Sequence, residues 1–407
     1  MRYLLVVLWI FMGCSDNGTK ASSPVDMGLD QDALVDMAAD TSATDAGVDT
    51  GSSPTCEVST GAFPRRLSLP NSEPNGVFDP SLALDPNTQR LWMSYSGVTG
   101  PAGSGAVSTH LAYSDDRGQT WCDFGVVNAS QPEPNPPAAF AGRAAKWHHE
   151  TSSIVYDPAA DAQARWRLVW MQYLHIEDDD PATEDRHFEY GWIAQRTAAT
   201  AEGLVSAPAT KLFGGLPYYS PGVEAYNEAV PGGSPAVRWD NDPTLQGCLV
   251  FAEPGLLAVE SKLWMAVVCA RSMSDTSVEL IELDHATNTW SARSTLLTPF
   301  NGAQINAAIT GFNAPDLFTV GNTVHLLISP VVAQYAGCLG YTVDTQTGLV
   351  VDLDGNGPDV IYGLEATEGA LQTGACTYHE ASELGVIYGD TLFSGVQFQL
   401  FATGTTF

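Results

Sequence analysis

Acidic side chains at the head of short apolar runs are the feature of this sequence most able to do chemistry. Asp79-Pro80-Ser81-Leu82-Ala83-Leu84 is matched by Glu253-Pro254-Gly255-Leu256-Leu257-Ala258, and each is followed by a turn and a Leu-Trp-Met run, Leu91-Trp92-Met93 and Leu263-Trp264-Met265. Pro315-Asp316-Leu317-Phe318 reads as a third, degenerate copy. A second theme, His-Glu-x-Ser, occurs as His149-Glu150-Thr151-Ser152 and as His379-Glu380-Ala381-Ser382. Carboxylates crowded into one desolvated pocket cannot all ionise, so one is held neutral while another keeps its charge. A neutral acid beside an ionised base is what cleavage of a glycosidic bond requires. The same acids, two of them directly before prolines, would also suit turn starts that only accept backbone N–H groups.

Acids so distant in sequence meet only if the chain carries the heads of several strands to a common axis. From Cys56 to Phe407 no amphipathic helix longer than two turns is visible, while strand-like runs recur between Asp-Pro, Gly-Asn and Asp-Gly turns. Repeated units begin near residues 79, 150, 253, 316 and 380, the last three almost evenly spaced. Units that each supply a hairpin or two and repeat without strict identity predict an all-β fold, a five-bladed β-propeller. A six-bladed arrangement is the alternative if a blade lies within 124–146 or 216–246, and a two-sheet sandwich is the other. In a propeller the innermost strands aim their first residues at one mouth of the central channel.

Composition narrows the partners. The chain has 407 residues, 44% hydrophobic, with 17 Lys+Arg against 47 Asp+Glu and a formal net charge of −30. Such a charge repels phosphate backbones and anionic headgroups, which excludes nucleic acid as a natural partner. The expected division is a signal peptide over 1–13, Cys14 with an Asp-rich tether over 14–55, and the propeller over 56–407. Arg2 followed by an apolar run too short to stay in a bilayer reads as the signal. Phe11-Met12-Gly13-Cys14 resembles a bacterial lipoprotein signal, which implies a lipidated Cys14; ordinary secretion is the alternative. Residues 15–55 hold eight Asp, one Lys and no aromatic residue, too little apolar area to offset chain entropy, and so read as a disordered tether. Ser15 after Cys14 directs the expectation to the bacterial cell envelope, at the outer membrane or cell surface. The membrane is then touched through the lipid alone, by a monomer.

Six cysteines remain beside Cys14: Cys56, Cys122, Cys248, Cys269, Cys338 and Cys376. An even number in an oxidising compartment predicts disulfides, although six allow fifteen connectivities. Cys248 and Cys269 bracket an expected hairpin, Cys338 and Cys376 would join neighbouring sheets, and Cys56 would fasten the start of the domain to Cys122. No Cys-x-x-Cys pair is present to hold a metal cluster.

Ser114-Asp115-Asp116-Arg117-Gly118-Gln119-Thr120-Trp121 fits the pattern Ser-x-Asp-x-Gly-x-Thr-Trp and resembles the Asp-box of sialidase and BNR-repeat propellers. The resemblance implies a peripheral hairpin without a catalytic role. Asp79 in the first unit, an acid in the second and Glu253 in the third resemble the blade starts of five-bladed arabinanase-, xylosidase- and fructosidase-type glycoside hydrolases. That resemblance implies Glu253 as proton donor, Asp79 as base or nucleophile, Glu150 or Asp316 as the tuning group, and His379 close to an axial cation. The second unit departs from the pattern, with His149-Glu150 where those enzymes carry Asp. Aligning Ser153-Ile154 with Ser81-Leu82 also sets Thr151, not Glu150, opposite Asp79. A sialidase would need three arginines, for which Arg143, Arg238 and Arg271 are the candidates.

The expected function is carboxylate-mediated hydrolysis of a glycan by an exported lipoprotein. Alternatives are a non-catalytic carbohydrate- or protein-binding propeller, a sialidase-like exo-glycosidase, and a structural surface protein. His149, His379 and Glu380 are expected to position water or substrate. Tyr219 and Trp239, with Trp147, Trp192, Tyr218 and Tyr226, are expected to stack on sugar rings, with 216–239 as a specificity loop. Asp352, Asp354, Asn356 and Asp359, spaced through a glycine turn, suit either calcium or a plain turn. No other cofactor is expected.

Overall fold

The computed structural model describes residues 54–70, 73–99, 105–177, 185–272, 275–392 and 397–407. The expected signal segment, Cys14 and nearly all of the expected tether lie outside the described residues. Those residues build five antiparallel sheets arranged as the blades of a β-propeller. Blade 1 contains Val77–Leu84, Leu91–Thr99, Ala106–Ser114 and Thr120–Asn128 from inside to outside, with Cys56–Val58 added at its rim. Blade 2 contains Ala145–Tyr156, Trp166–Ile176, Asp185–Ala198 and Thr210–Phe213. Blade 3 contains Val250–Val259, Lys262–Ser272, Asp275–Asp284 and Thr289–Leu297. Blade 4 contains Gly311–Val320, Thr323–Val332, Cys338–Val343 and Val360–Leu364. Blade 5 contains Ala370–Thr377, Ile387–Leu392 and Gln397–Ala402, and its outer strand, Arg65–Arg66, comes from the other end of the chain. That pairing closes the ring. Neither 124–146 nor 216–246 hides a sixth blade among the described residues.

The burial pattern explains why the inner strands do not alternate between apolar and polar. A blade is covered on both faces by its neighbours, so Leu91–Thr99 is buried at eight successive positions, whereas an outer strand such as Gln397–Ala402 alternates. Each blade-to-blade seam has its own apolar cluster, with Trp92 and Trp166 between blades 1 and 2, Met171 and Phe251 between 2 and 3, and Trp264 and Tyr341 between 3 and 4. Phe318 and Tyr388 fill the fourth seam, and Trp121 and Leu400 the seam that closes the ring. In the Ser114–Trp121 turn Ser114 Oγ donates to Asp116 at 2.8 Å and Asp116 accepts the Thr120 N–H at 2.7 Å. It joins the outer two strands of blade 1, far from the axis. The three expected disulfides are present, Cys56–Cys122, Cys248–Cys269 and Cys338–Cys376.

Every innermost strand is interrupted at the same place. Between Phe78 and Ser81 two residues stand opposite one on the neighbouring strand, and the same two-against-one bulge falls between Glu150 and Ser153, Ala252 and Gly255, Asn313 and Asp316, and Gly374 and Thr377. The first bulged residue is left-handed in all five blades: Asp79 (φ 50°), Thr151 (φ 54°), Glu253 (φ 54°), Ala314 (φ 50°) and Ala375 (φ 53°). A non-glycine residue there costs on the order of 1 kcal/mol, and it recurs because the bulge turns that side chain toward the axis. Pro80, Pro254 and Pro315 occupy the second bulged position, where no ladder N–H is needed.

Candidate functional site

The bulges set the true register. Thr151, not Glu150, is the counterpart of Asp79 and Glu253, and Ala314 and Ala375, not Asp316 and His379-Glu380, complete the ring of five. The units expected near 150, 316 and 380 therefore begin at 151, 314 and 375. The error in the fifth is the largest because the His-Glu-x-Ser likeness aligns two different parts of the strand path.

Asp79, Thr151, Glu253, Ala314, Asp316 and Ala375 line one mouth of the channel, around a space of about 30 Å³. That is room for water, and far below the roughly 300 Å³ of a small-molecule pocket. Asp79 and Glu253 are 7% and 4% exposed, so desolvation opposes the charge of both. Burial raises Asp79 well above the ordinary carboxylate range, and the nearby Glu253 and Glu150 raise it further. Its donors are the Ser96 hydroxyl at 3.4 Å and the Thr151 N–H. Burial pushes Glu253 up to about 7, with Glu150 adding to the effect and three donors opposing it: Tyr335, the Ala314 N–H and Asn313. Tyr335 Oη donates to Glu253 Oε1 at 2.7 Å and Asn313 Nδ2 donates to the same oxygen at 3.0 Å. Glu253 Oε2 is buried, with no hydrogen-bond partner among the described residues. Glu150 lies behind the mouth, one residue before its bulge, raised by burial and steadied by Arg186 and a hydrogen bond with Tyr173.

Asp316 belongs to the channel but does another job. It stands where blades 1 and 2 have Ser81 and Ser153, whose hydroxyls accept the N–H groups of Ile154 at 3.2 Å and Leu256 at 2.9 Å in the next blade. Asp316 likewise accepts the Tyr378 N–H and the Thr377 hydroxyl, the latter at 2.8 Å, and burial pushes it up to about 7. It satisfies an otherwise open strand edge. In blade 3 the position is Gly255, where a Cβ would stand 2.2 Å from the Pro315 carbonyl oxygen.

The other expected site residues are elsewhere. His149 turns toward the seam with blade 1, where its Nδ1 accepts the Trp170 indole N–H at 3.1 Å, and burial lowers it to about 3. His379 lines the opposite end of the channel, and Glu380 accepts the Gly321 N–H in a turn there. Trp239 packs on Phe213 between blades 2 and 3, Tyr218 on Trp192, Trp147 on Trp192 and Tyr226 on Tyr190, while Tyr219 donates to the Val237 carbonyl under Arg238. The aromatic segment 216–239 is thus packing against blade 2, because these rings bury more area there than a shallow mouth offers. Asp352, Asp354 and Asp359 accept N–H groups of their own loop, those of Gly355, Gly357, Asn356 and Leu353. Among the described residues no three His, Cys, Asp or Glu side chains are placed to hold a metal ion. Arg238 pairs with Glu224 and Asp240, Arg271 with Glu279, and Arg143 reaches the Glu177 carbonyl, so the three do not converge.

Three residues at the mouth went unforeseen. Asn313 precedes a bulge and was open to the repeat alignment. Ser96 lies across from Phe78. Tyr335 had no signal: it arrives from a tight turn at Ala333 (φ 65°) that returns the chain against Val331.

No family model and no curated protein matches the chain. Among solved structures it is similar to a Bombyx mori GH32 β-fructofuranosidase, at 12% identity and TM-score 0.44 over 86% of this chain and 61% of that one. It is similar also to a Bacillus subtilis arabinanase, at 13% identity and TM-score 0.42 over 80% of this chain and 92% of that one. An endo-arabinase from Bacteroides thetaiotaomicron gives 11% identity and TM-score 0.44 over 86% and 97%. The chain thus spans under two thirds of the silkworm enzyme. Likeness this distant says nothing of chemistry, and the five-bladed propeller rests on the five sheets themselves.

Proposed function

We propose that the protein is a glycoside hydrolase-like propeller in which Asp79 and Glu253 share the work of general acid and base on a glycan. The observation that carries this reading is the convergence of two carboxylates from different blades, both desolvated, with Glu253 close enough to raise Asp79. Two such groups leave one protonated near neutral pH, as glycosidic hydrolysis needs. Glu150 supports the pair as a further acid behind it. The test is hydrolysis of aryl glycosides and a broad oligosaccharide panel by wild type, Asp79→Asn and Glu253→Gln. Turnover lost in both variants, with the fold intact, supports the reading; no turnover by wild type sinks it.

A second reading, a non-catalytic glycan-binding propeller, is favoured by the narrowness of the mouth. It predicts affinity for the same panel, measured by calorimetry, without hydrolysis. In either case we propose that the domain is exported and tethered by a lipidated Cys14 to a bacterial envelope. Mass spectrometry of the mature N-terminus, with Cys14→Ser shifting the protein from membrane to soluble fraction, tests that.

A further inference from the structure

We infer that the two acids at the mouth hold their protons in the order opposite to the one the resemblance implies, with Asp79 the protonated member and Glu253 the ionised one. The argument is a comparison of donors. Glu253 Oε1 receives two short bonds, from Tyr335 Oη at 2.7 Å and Asn313 Nδ2 at 3.0 Å, and the carboxylate also faces the Ala314 N–H. Asn313 donates to Tyr335 Oη as well, at 2.7 Å. That bond occupies the phenol oxygen and leaves its proton directed at Glu253. Asp79 has weaker support: the Ser96 hydroxyl stands at 3.4 Å, and the Thr151 N–H it faces is shared with Ser96 Oγ at 3.0 Å. Hydrogen bonds to an ionised acceptor are about twice as strong as neutral ones. When two buried carboxyls cannot both ionise, the charge therefore settles on the one with more and shorter donors. Glu150, with Tyr173 and Arg186 behind it, acts on both members, and Asp316 lies two residues deeper in blade 4. Tyr335 faces both acids but donates to Glu253.

On the hydrolase reading, on which the catalytic meaning of this order rests, Asp79 passes its proton to the glycosidic oxygen as the C–O bond breaks. Glu253 takes a proton from the water whose oxygen bonds to the anomeric carbon. The order itself is read without substrate. Protein carrying ¹³C in the Asp and Glu side-chain carboxyls is titrated by NMR, the two resonances being identified by their loss in Asp79→Asn and Glu253→Gln. Asp79 is expected to titrate above Glu253. Tyr335→Phe should raise the Glu253 midpoint, about a tenfold gain in proton affinity for one lost bond of about 1.4 kcal/mol, and Asn313→Ala should move it the same way. Glu253 titrating above Asp79, or a Glu253 midpoint unmoved in both variants, overturns the inference. A protein that shows the expected order yet hydrolyses nothing refutes the hydrolase reading alone.

Discussion

The two ends of the channel are built from the same five strands and have opposite characters. The mouth at the strand starts is narrow and carries Asp79, Glu253 and Asp316 around about 30 Å³. The far end is a wider cavity of about 400 Å³ lined by Leu82, Leu84, Ile154, Leu256 and Leu317, with Tyr378 and His379 from blade 5. The bulge separates them. Within it, a left-handed residue throws its side chain at the axis; after it, regular pleating resumes, and Ser81, Ser153 and Asp316 tie one strand edge to the next. The first half can thus hold chemistry at a cost in strain, while the second half holds the ring together.

This contrast predicts that the two halves fail differently. The largest effect is expected at the mouth: Glu253→Gln should lower hydrolysis about a thousandfold while leaving the melting temperature level or higher, because a buried charge is removed. Equal loss of stability would make Glu253 a structural hub instead. Next, Leu256→Ala at the far end should cost about 2 to 5 kcal/mol in denaturant melts and leave turnover per folded molecule unchanged. Stability should also depend on pH through the raised mouth acids. Asp316 binds its proton in the folded state up to about pH 7, whereas the unfolded side chain releases it near about 3.9. The stabilisation is therefore complete below the unfolded value and is lost as pH climbs through the folded one. Wild type should lose on the order of 2 kcal/mol between about pH 4.5 and about pH 7, and Asp316→Asn should flatten that decline; an unchanged slope would break the assignment. The smallest effect is expected from Ser153→Ala, which removes the acceptor of the Leu256 N–H at 2.9 Å and should cost about 1 kcal/mol in the same melts.

Much of the fold was legible because its signals are local. Strand runs, Asp-Gly turns and the matching Asp-Pro and Glu-Pro strand heads announce themselves over a few residues, and sequence order suggested the disulfide pairs among fifteen possible connectivities. The candidate site was legible only in part. Asp79 and Glu253 sit in near-identical surroundings, so the repeat exposed both. The blade 2 register was ambiguous by one residue, since Glu150 and Thr151 both fit the pattern, and only the pairing of Glu150 with Met171 and Ser153 with Val169 decides it. His149 and Trp239 drew notice as chemically able residues, yet a seam between blades offers a ring more contact than the mouth does.

The amino-acid order alone pointed to the all-β character, to repeating units and to Asp79 and Glu253 at matching places in two of them, because these depend on spacing along the chain. It could not determine that Tyr335 and Asn313 would fasten one of those acids, or that Asp316 would close a strand edge. Those outcomes depend on distances across blades, 82 residues apart in the case of Tyr335 and Glu253. Proton order in a buried pair is set by whichever donors the closed ring brings within reach, and that arrangement exists only once the ring has closed.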